Sequence, residues 1–243
     1  MTNLAIECSG TAGSVGLFDE ENPISYSDLD TSFSSVRTLA SEIERIMRGQ
    51  TRPKLISVTN GPGSFTGLRV GLTTAKMLAM AWNIPVMPVD TLHAIALRAH
   101  GAIPHLSPEY QPEAPILAVI NAFRGQVFAT AVQFKPKLTV IMPSCVLNSE
   151  HWQARPLAGV TAMGKPTSAF VSGPGLKNYP LSGEVLDGVL YQILPPEVWN
   201  PTATEVARLG RIGFEAGLAC NAFTLEPSYL RVSAAEEKAN SKG

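Results

Sequence analysis

The chain has 243 residues, 45% of them apolar, enough for one large domain or two small ones with buried cores, so disorder is not the default. Lys and Arg number 19 against 20 Asp and Glu; a formal charge of −1 gives no global attraction to a phosphate backbone and argues against direct nucleic-acid binding. Three scattered cysteines, Cys8, Cys145 and Cys220, suit neither a disulfide framework nor a cysteine-built metal site and point to a reducing, cytoplasmic setting. No basic-then-apolar leader opens the sequence, and the longest apolar run, residues 77–82, falls far below the ~20 residues that span a bilayer. A soluble, unprocessed protein away from the membrane is expected.

Residues 4–6 read as a short buried strand and residues 15–18 as its return across a small-residue turn, a hairpin with Glu7 near its tip. Over residues 34–48, Val36, Leu39, Ala40, Ile43, Ile46 and Met47 recur three and four residues apart, the apolar face of an amphipathic helix. A strand over 55–58 then leads through Gly61-Pro62-Gly63-Ser64 into a helix over 65–82, with Ser64 as its N-cap. Residues 85–89 predict a strand and 92–100 a helix, before Pro104, Pro108, Pro112 and Pro115 punctuate a linker.

Beyond the linker, residues 116–120 and 126–132 form a second hairpin around Asn121-Ala122-Phe123-Arg124-Gly125. It echoes the first: an apolar strand, a polar residue (Glu7, then Asn121), a turn and a return strand. The echo suggests two related lobes facing a cleft, although two unrelated hairpins would read the same way. Residues 171–175 predict a strand and turn and 204–218 a last helix, while the polar tail from Ala234 is expected to fray. The expected division is an N-terminal lobe over 1–103, a Pro-rich linker over 104–115 and a C-terminal lobe over 116–243, whose last helix is free to pack back on the first lobe.

The most informative segment is Gly61-Pro62-Gly63-Ser64-Phe65-Thr66-Gly67-Leu68-Arg69-Val70-Gly71-Leu72. A glycine-rich turn opening a helix presents backbone N–H groups, a phosphate site in one reading and a tight strand-to-helix turn in the other. It is not a Walker loop, since no Lys followed by Ser or Thr closes it, and the Rossmann glycine spacing is absent. Inside the helix, Gly67, Gly71, Ala75 and Ala79 fall at successive i+4 positions. Each helical glycine costs about 1 kcal/mol relative to Ala, which close approach of another backbone offsets. Such a row packs either on the protein's own sheet or, with its Leu68, Leu72 and Met80 flank, on a helix of another chain.

That segment, followed by Thr74-Ala75-Lys76, resembles the signature of the TsaB (YeaZ) family. The resemblance extends to the opening hairpin, to residues 118–129, to Gly173-Pro174-Gly175 with Tyr179, and to Pro227-Ser228-Tyr229-Leu230-Arg231. It implies an α/β fold of two related lobes of the actin, sugar-kinase and heat-shock ATPase (ribonuclease H-like) type. It also implies a non-catalytic scaffold or activating subunit of the complex that installs threonylcarbamoyl on N6 of an adenosine in tRNAs reading codons that begin with A. A TsaD-like catalytic subunit and a TsaE-like ATPase would be its partners, with ATP and metal held by them and no cofactor by this chain. Docking is expected through the N-terminal lobe, at Val36, Leu39, Ile43, Gly67, Leu68, Gly71, Leu72, Ala75 and Ala79. The same surface would form a homodimer when the partner is missing, and tRNA would be met only through the complex.

Departures from the superfamily's pattern bear on chemistry. Paired histidines at i and i+4, which grip one ion, are missing from His93, His100, His105 and His151. The first hairpin carries Glu7-Cys8-Ser9, and the acid expected at the second is Asn121, which supplies no charge to a magnesium ion. Glu7, Ser9, Gly61, Gly63 and Asn121 are therefore expected to mark a vestigial nucleotide cleft, and Glu7 either faces that cleft or bonds its own turn. Ser9, Ser14, Ser64 and Thr66 lack a recognisable base, which leaves a peptidase as a weaker rival than a small kinase or ATPase of the same superfamily. Arg69, Arg124 and Arg231 either bind a ligand or stand as solvated charges.

Overall fold

The computed structural model describes residues 1–29, 35–106, 113–134, 137–150, 152, 168–181, 185–186 and 188–230, with the backbone alone at 35–37 and 185–186. The side chain of Val36 and residues Ser34, Pro108, Pro112, His151, Arg231 and the tail from Ala234 lie outside that description.

The first sheet comprises β1 (Thr2–Glu7), β2 (Gly13–Asp19), β3 (Asn22–Leu29), β4 (Leu55–Gly61) and β5 (Val86–Asp90), in the order β3-β2-β1-β4-β5. β1, β2 and β3 run as an antiparallel meander, while β4 joins β1, and β5 joins β4, in parallel. Period-two alternation in β1 sends Leu4 and Ile6 to one face and Ala5 to the other. Helices α1 (Ser35–Met47) and α2 (Phe65–Trp82) cover the first face. The second is covered by α3 (Thr91–Leu106) and by the last described helix, α4 (Ala203–Glu215), through Ala94, Leu97, Ala203, Val206 and Ala207.

The second sheet is a copy of the first. It contains β6 (Ile116–Phe123), β7 (Gln126–Gln133), β8 (Thr139–Asn148), β9 (Ser168–Ser172), β10 (Val185–Leu186) and β11 (Val189–Ile193). Its order is β10-β11-β9-β6-β7-β8, so setting aside the two-residue β10, the strands β8-β7-β6-β9-β11 match β3-β2-β1-β4-β5 in order and direction. The two-lobed α/β fold of the actin, sugar-kinase and heat-shock ATPase type follows from this repeat. Helix α3 lies between the lobes, with Leu92, Ile95, Ala99 and Ile103 packed on Ile116, Ala118 and Phe170 of the second sheet.

Four strands were not foreseen in the sequence, β3, β8, β10 and β11; of these, β3 and β8 are each the third strand of a meander at a sheet edge. Their side chains are largely exposed or half-buried and each contains a proline, so neither shows a buried apolar run. Helix α3 also continues through Pro104 to Leu106 instead of ending at residue 100.

Candidate functional site

The two hairpins and two glycine-rich turns bring their tips to one cleft of about 940 Å³ between the lobes. Its walls are Ser9 to Thr11 of the first hairpin, Gly63 to Phe65 at the entry of α2, Asn121 to Arg124 of the second hairpin, Thr91 and Ile95 of α3, and Pro174, Lys177 and Asn178 beyond β9. Of the residues expected there, Ser9, Gly63 and Asn121 line the cleft, whereas Glu7 is fully buried behind its turn and Gly61 closes β4.

The glycine turns also repeat. β4 runs into Gly61-Pro62-Gly63, and its counterpart β9 runs into Gly173-Pro174-Gly175. Gly61 and Gly173 have φ of 127° and 128°, a backbone conformation that glycine alone adopts without strain. The sequence carried both triplets, each at the end of a strand that runs parallel to the first strand of its lobe.

Glu7 answers the question left open by the sequence: its Oε1 accepts the backbone N–H of Ser9 at 2.7 Å and the Ser9 hydroxyl as well. Asn121 does the same, its Oδ1 accepting the N–H of Phe123 at 2.6 Å. Each polar residue therefore ties its own turn two residues on. Burial pushes the Glu7 carboxyl up to about 7, a rise that the Ser9 hydrogen bonds partly offset and that the charge of Glu205 reinforces. Its second oxygen, Oε2, has no hydrogen-bond partner among the described residues. The neighbouring Cys8 thiol is pushed further up by its own burial and by Glu7. No carboxylate lines the cleft and no group of three His, Cys, Asp or Glu side chains is gathered among the described residues. Of the serine candidates, Ser9 donates its hydroxyl to the buried Glu7 carboxyl, Ser14 accepts the N–H of Ala203, and Ser64 caps α2 by accepting the N–H of Gly67.

The expected docking row requires correction. Gly67, Leu68, Gly71, Leu72, Ala75 and Ala79 are buried within the chain's own first lobe, and so are Leu39 and Ile43 of α1. A Cβ at Gly67 would land on the carbonyl of Cys8, so the small-residue row exists to let α2 approach the end of β1. The outward face of α2 carries Phe65, Arg69, Met77 and Met80, with Met77 65% and Met80 52% exposed. Arg69 lies over the Phe65 ring at 4.0 Å and donates from Nε to the Tyr229 hydroxyl at 3.3 Å, while Phe65 stacks on Tyr229 at 5.8 Å between centroids.

Against this geometry, a sequence profile described as TsaD, tRNA N6-adenosine threonylcarbamoyltransferase, matches residues 36–187. The chain belongs to that family. Within it, the similarity along the whole chain is to the TsaB/YeaZ proteins. The tRNA threonylcarbamoyladenosine biosynthesis protein TsaB of Bacillus subtilis is 28% identical over 252 residues, covering 98% of this chain and 97% of that protein. TsaB of Haemophilus influenzae is 29% identical over 136 residues, 54% of each chain. The solved structure of YeaZ from Pseudomonas aeruginosa shares the fold, with a TM-score of 0.73 at 21% identity over 94% of this chain and 99% of that one. No described helix is long and apolar enough to cross a membrane.

Proposed function

We propose that this TsaB/YeaZ-family protein takes part in forming threonylcarbamoyladenosine in tRNA as a non-catalytic subunit that docks a TsaD-like protein on the outer face of the α1–α2 layer. The observation that carries the reading is the division of α2. Its small-residue side is used inside the lobe, and its other side leaves two methionines and a fixed Phe–Arg–Tyr cluster outward. An adaptable methionine pair beside an aromatic and arginine anchor is the chemistry of a protein-binding face. ATP, metal and the TsaE-like ATPase belong to the partner side of this assembly, tRNA is met through it, and the same face pairs two copies when the partner is missing.

A kinase or ATPase is the weaker reading, because Glu7 and Asn121 tie their own turns and no described carboxylate reaches the cleft to hold a magnesium ion. Co-purification with a TsaD-like protein, and ATP hydrolysis by the chain alone, decide between them. Met77→Arg and Met80→Arg are expected to leave the melting temperature unchanged while weakening partner binding by about tenfold or more. Magnesium-dependent ATP turnover by the isolated chain, or unimpaired docking by both variants, would sink the scaffold reading.

A further inference from the structure

We propose that the crevice between α3 and α4 is a binding site for a free α-amino acid with a short side chain, held as its zwitterion. This goes beyond the docking role of α2: α3 and α4 cover the opposite face of the first sheet, and the crevice shares no lining residue with the cleft between the lobes. Its volume, about 320 Å³, lies at the lower end of the range for small-molecule sites. Leu97 and Ala102 of α3, with Val198 of the 3₁₀ turn Pro196–Val198, give it an apolar wall. Its charged lining residues are two guanidiniums, Arg98 and Arg208, and one carboxylate, Glu205. A lining of both signs beside a small apolar wall favours a ligand that carries both charges close together.

Each charged group keeps bonding capacity that the chain itself does not use. Arg98 is half-buried and donates from Nη2 to the carbonyl of Glu197 at 3.0 Å, but it forms no ion pair among the described residues. Arg208 Nε stands 3.5 Å from Oε1 of Glu21, an oxygen that Arg211 already holds at 2.7 Å. Glu205 is divided: its Oε2 accepts the Thr202 N–H at 2.8 Å and the Thr202 hydroxyl at 2.7 Å, while Oε1 has no hydrogen-bond partner among the described residues. An α-amino acid meets all three, with its carboxylate on the two guanidiniums and its ammonium on Oε1 of Glu205. A simple anion would leave the carboxylate unmatched, and a simple cation the arginines. Gly101 adds an observation of a different kind. It stands inside α3, where glycine destabilises a helix relative to alanine, and a Cβ there would meet nothing within 4 Å. Gly210 of α4, by contrast, is required by the approach of Ser57. Nothing in the chain asks for a glycine at 101, and its missing side chain keeps the crevice open on the α3 side.

The test is a ligand-observed NMR titration of the full chain with L-alanine, L-serine and L-valine. Isovalerate, the valine shape without its ammonium, and isobutylamine, the same shape without its carboxylate, serve as comparisons. Saturable one-to-one binding of at least one amino acid at about 1 mM or tighter is expected, with both comparison compounds about tenfold weaker. Arg98→Gln should weaken the amino acid about tenfold and leave the melting temperature unchanged. Gly101→Leu puts a good helix former into the crevice, so the melting temperature should rise while binding is lost, two readouts moving in opposite senses. Glu205→Gln keeps the capping box, which glutamine also serves, but removes the charge; amino-acid affinity should fall about tenfold while isovalerate loses nothing. Absence of saturable binding by all three amino acids overturns the inference. So does isovalerate binding as tightly as valine, which would make the crevice a plain carboxylate site, and so does amino-acid binding that survives both Arg98→Gln and Gly101→Leu, which would put the ligand elsewhere on the chain.

Discussion

The two lobes share a strand order and a pair of turns but differ in what crosses from the fourth strand to the fifth. In the first lobe the crossover is α2, 18 residues with a capped start at Ser64 and a left-handed end at Asn83. In the second, the described part of the crossover is a single 3₁₀ turn, Pro174–Lys177, with no side-chain cap. A full helix has two sides. One binds the sheet, the other is left for something else, whereas a single turn has only enough surface to pack on Val119 and Ile120. The two frames are of one kind, and among the described residues the first lobe alone carries a full helix between its fourth and fifth strands.

Substitutions in α2 test that asymmetry most strongly. Ala75→Arg places an unpaired charge in a fully buried position and should cost several kcal/mol, unfolding the first lobe before any docking can be measured by a thermal melt. A folded Ala75→Arg would mean that the small-residue row does not lie against the sheet.

The paired polar residues at the hairpins give the next effect. Glu7 has its proton affinity raised by burial to about 7 from an unfolded value of 4.5, so the fold favours its protonated form. Below pH ~4.5 both states are protonated; as pH rises through this window the unfolded state ionises first and native stability falls, levelling off above the folded value. At about 1.4 kcal/mol per pKa unit the loss is roughly 3 kcal/mol, and Glu7→Gln should abolish it, as denaturant unfolding at pH 5 and pH 8 would show. Asn121→Asp, on the less buried second hairpin, should produce no such slope.

The smallest expected effect is at the cap. Ser64→Ala removes the acceptor for the Gly67 N–H and should lower stability by about 1 kcal/mol in a thermal melt, with the outward face of α2 unchanged and docking preserved.

What was legible in the sequence follows burial. The first two strands of each lobe and helices α1, α2 and α4 carry periodic apolar residues because each has a fully covered side. The third strands were hidden because an edge position asks little of Ile24 or Val140 beyond backbone pairing. The cleft could be read in part: Ser9, Gly63 and Asn121 are ordinary turn residues whose place in a repeat marked them. Arg98 and Gly101 of the α3–α4 crevice could not be found that way. A cation without a counter-ion and open space beside a helical glycine are properties of coordinates, and in the sequence they are an arginine after a leucine and a glycine after a histidine.

The route of the chain after α4 has a consequence for synthesis. That helix packs on β1 and β4, after which Cys220 exchanges two backbone hydrogen bonds with Val86, Leu225 enters the first core, and the Ser228 N–H reaches the carbonyl of Asn60. The lobe that leaves the ribosome first is therefore completed by residues made more than a hundred positions later. Until they emerge, the face of the nascent sheet that carries Ala5, Leu55 and Met87 lacks α4. A fragment ending at residue 103 should aggregate for the same reason, and adding residues 203–230 as a separate peptide should rescue its solubility.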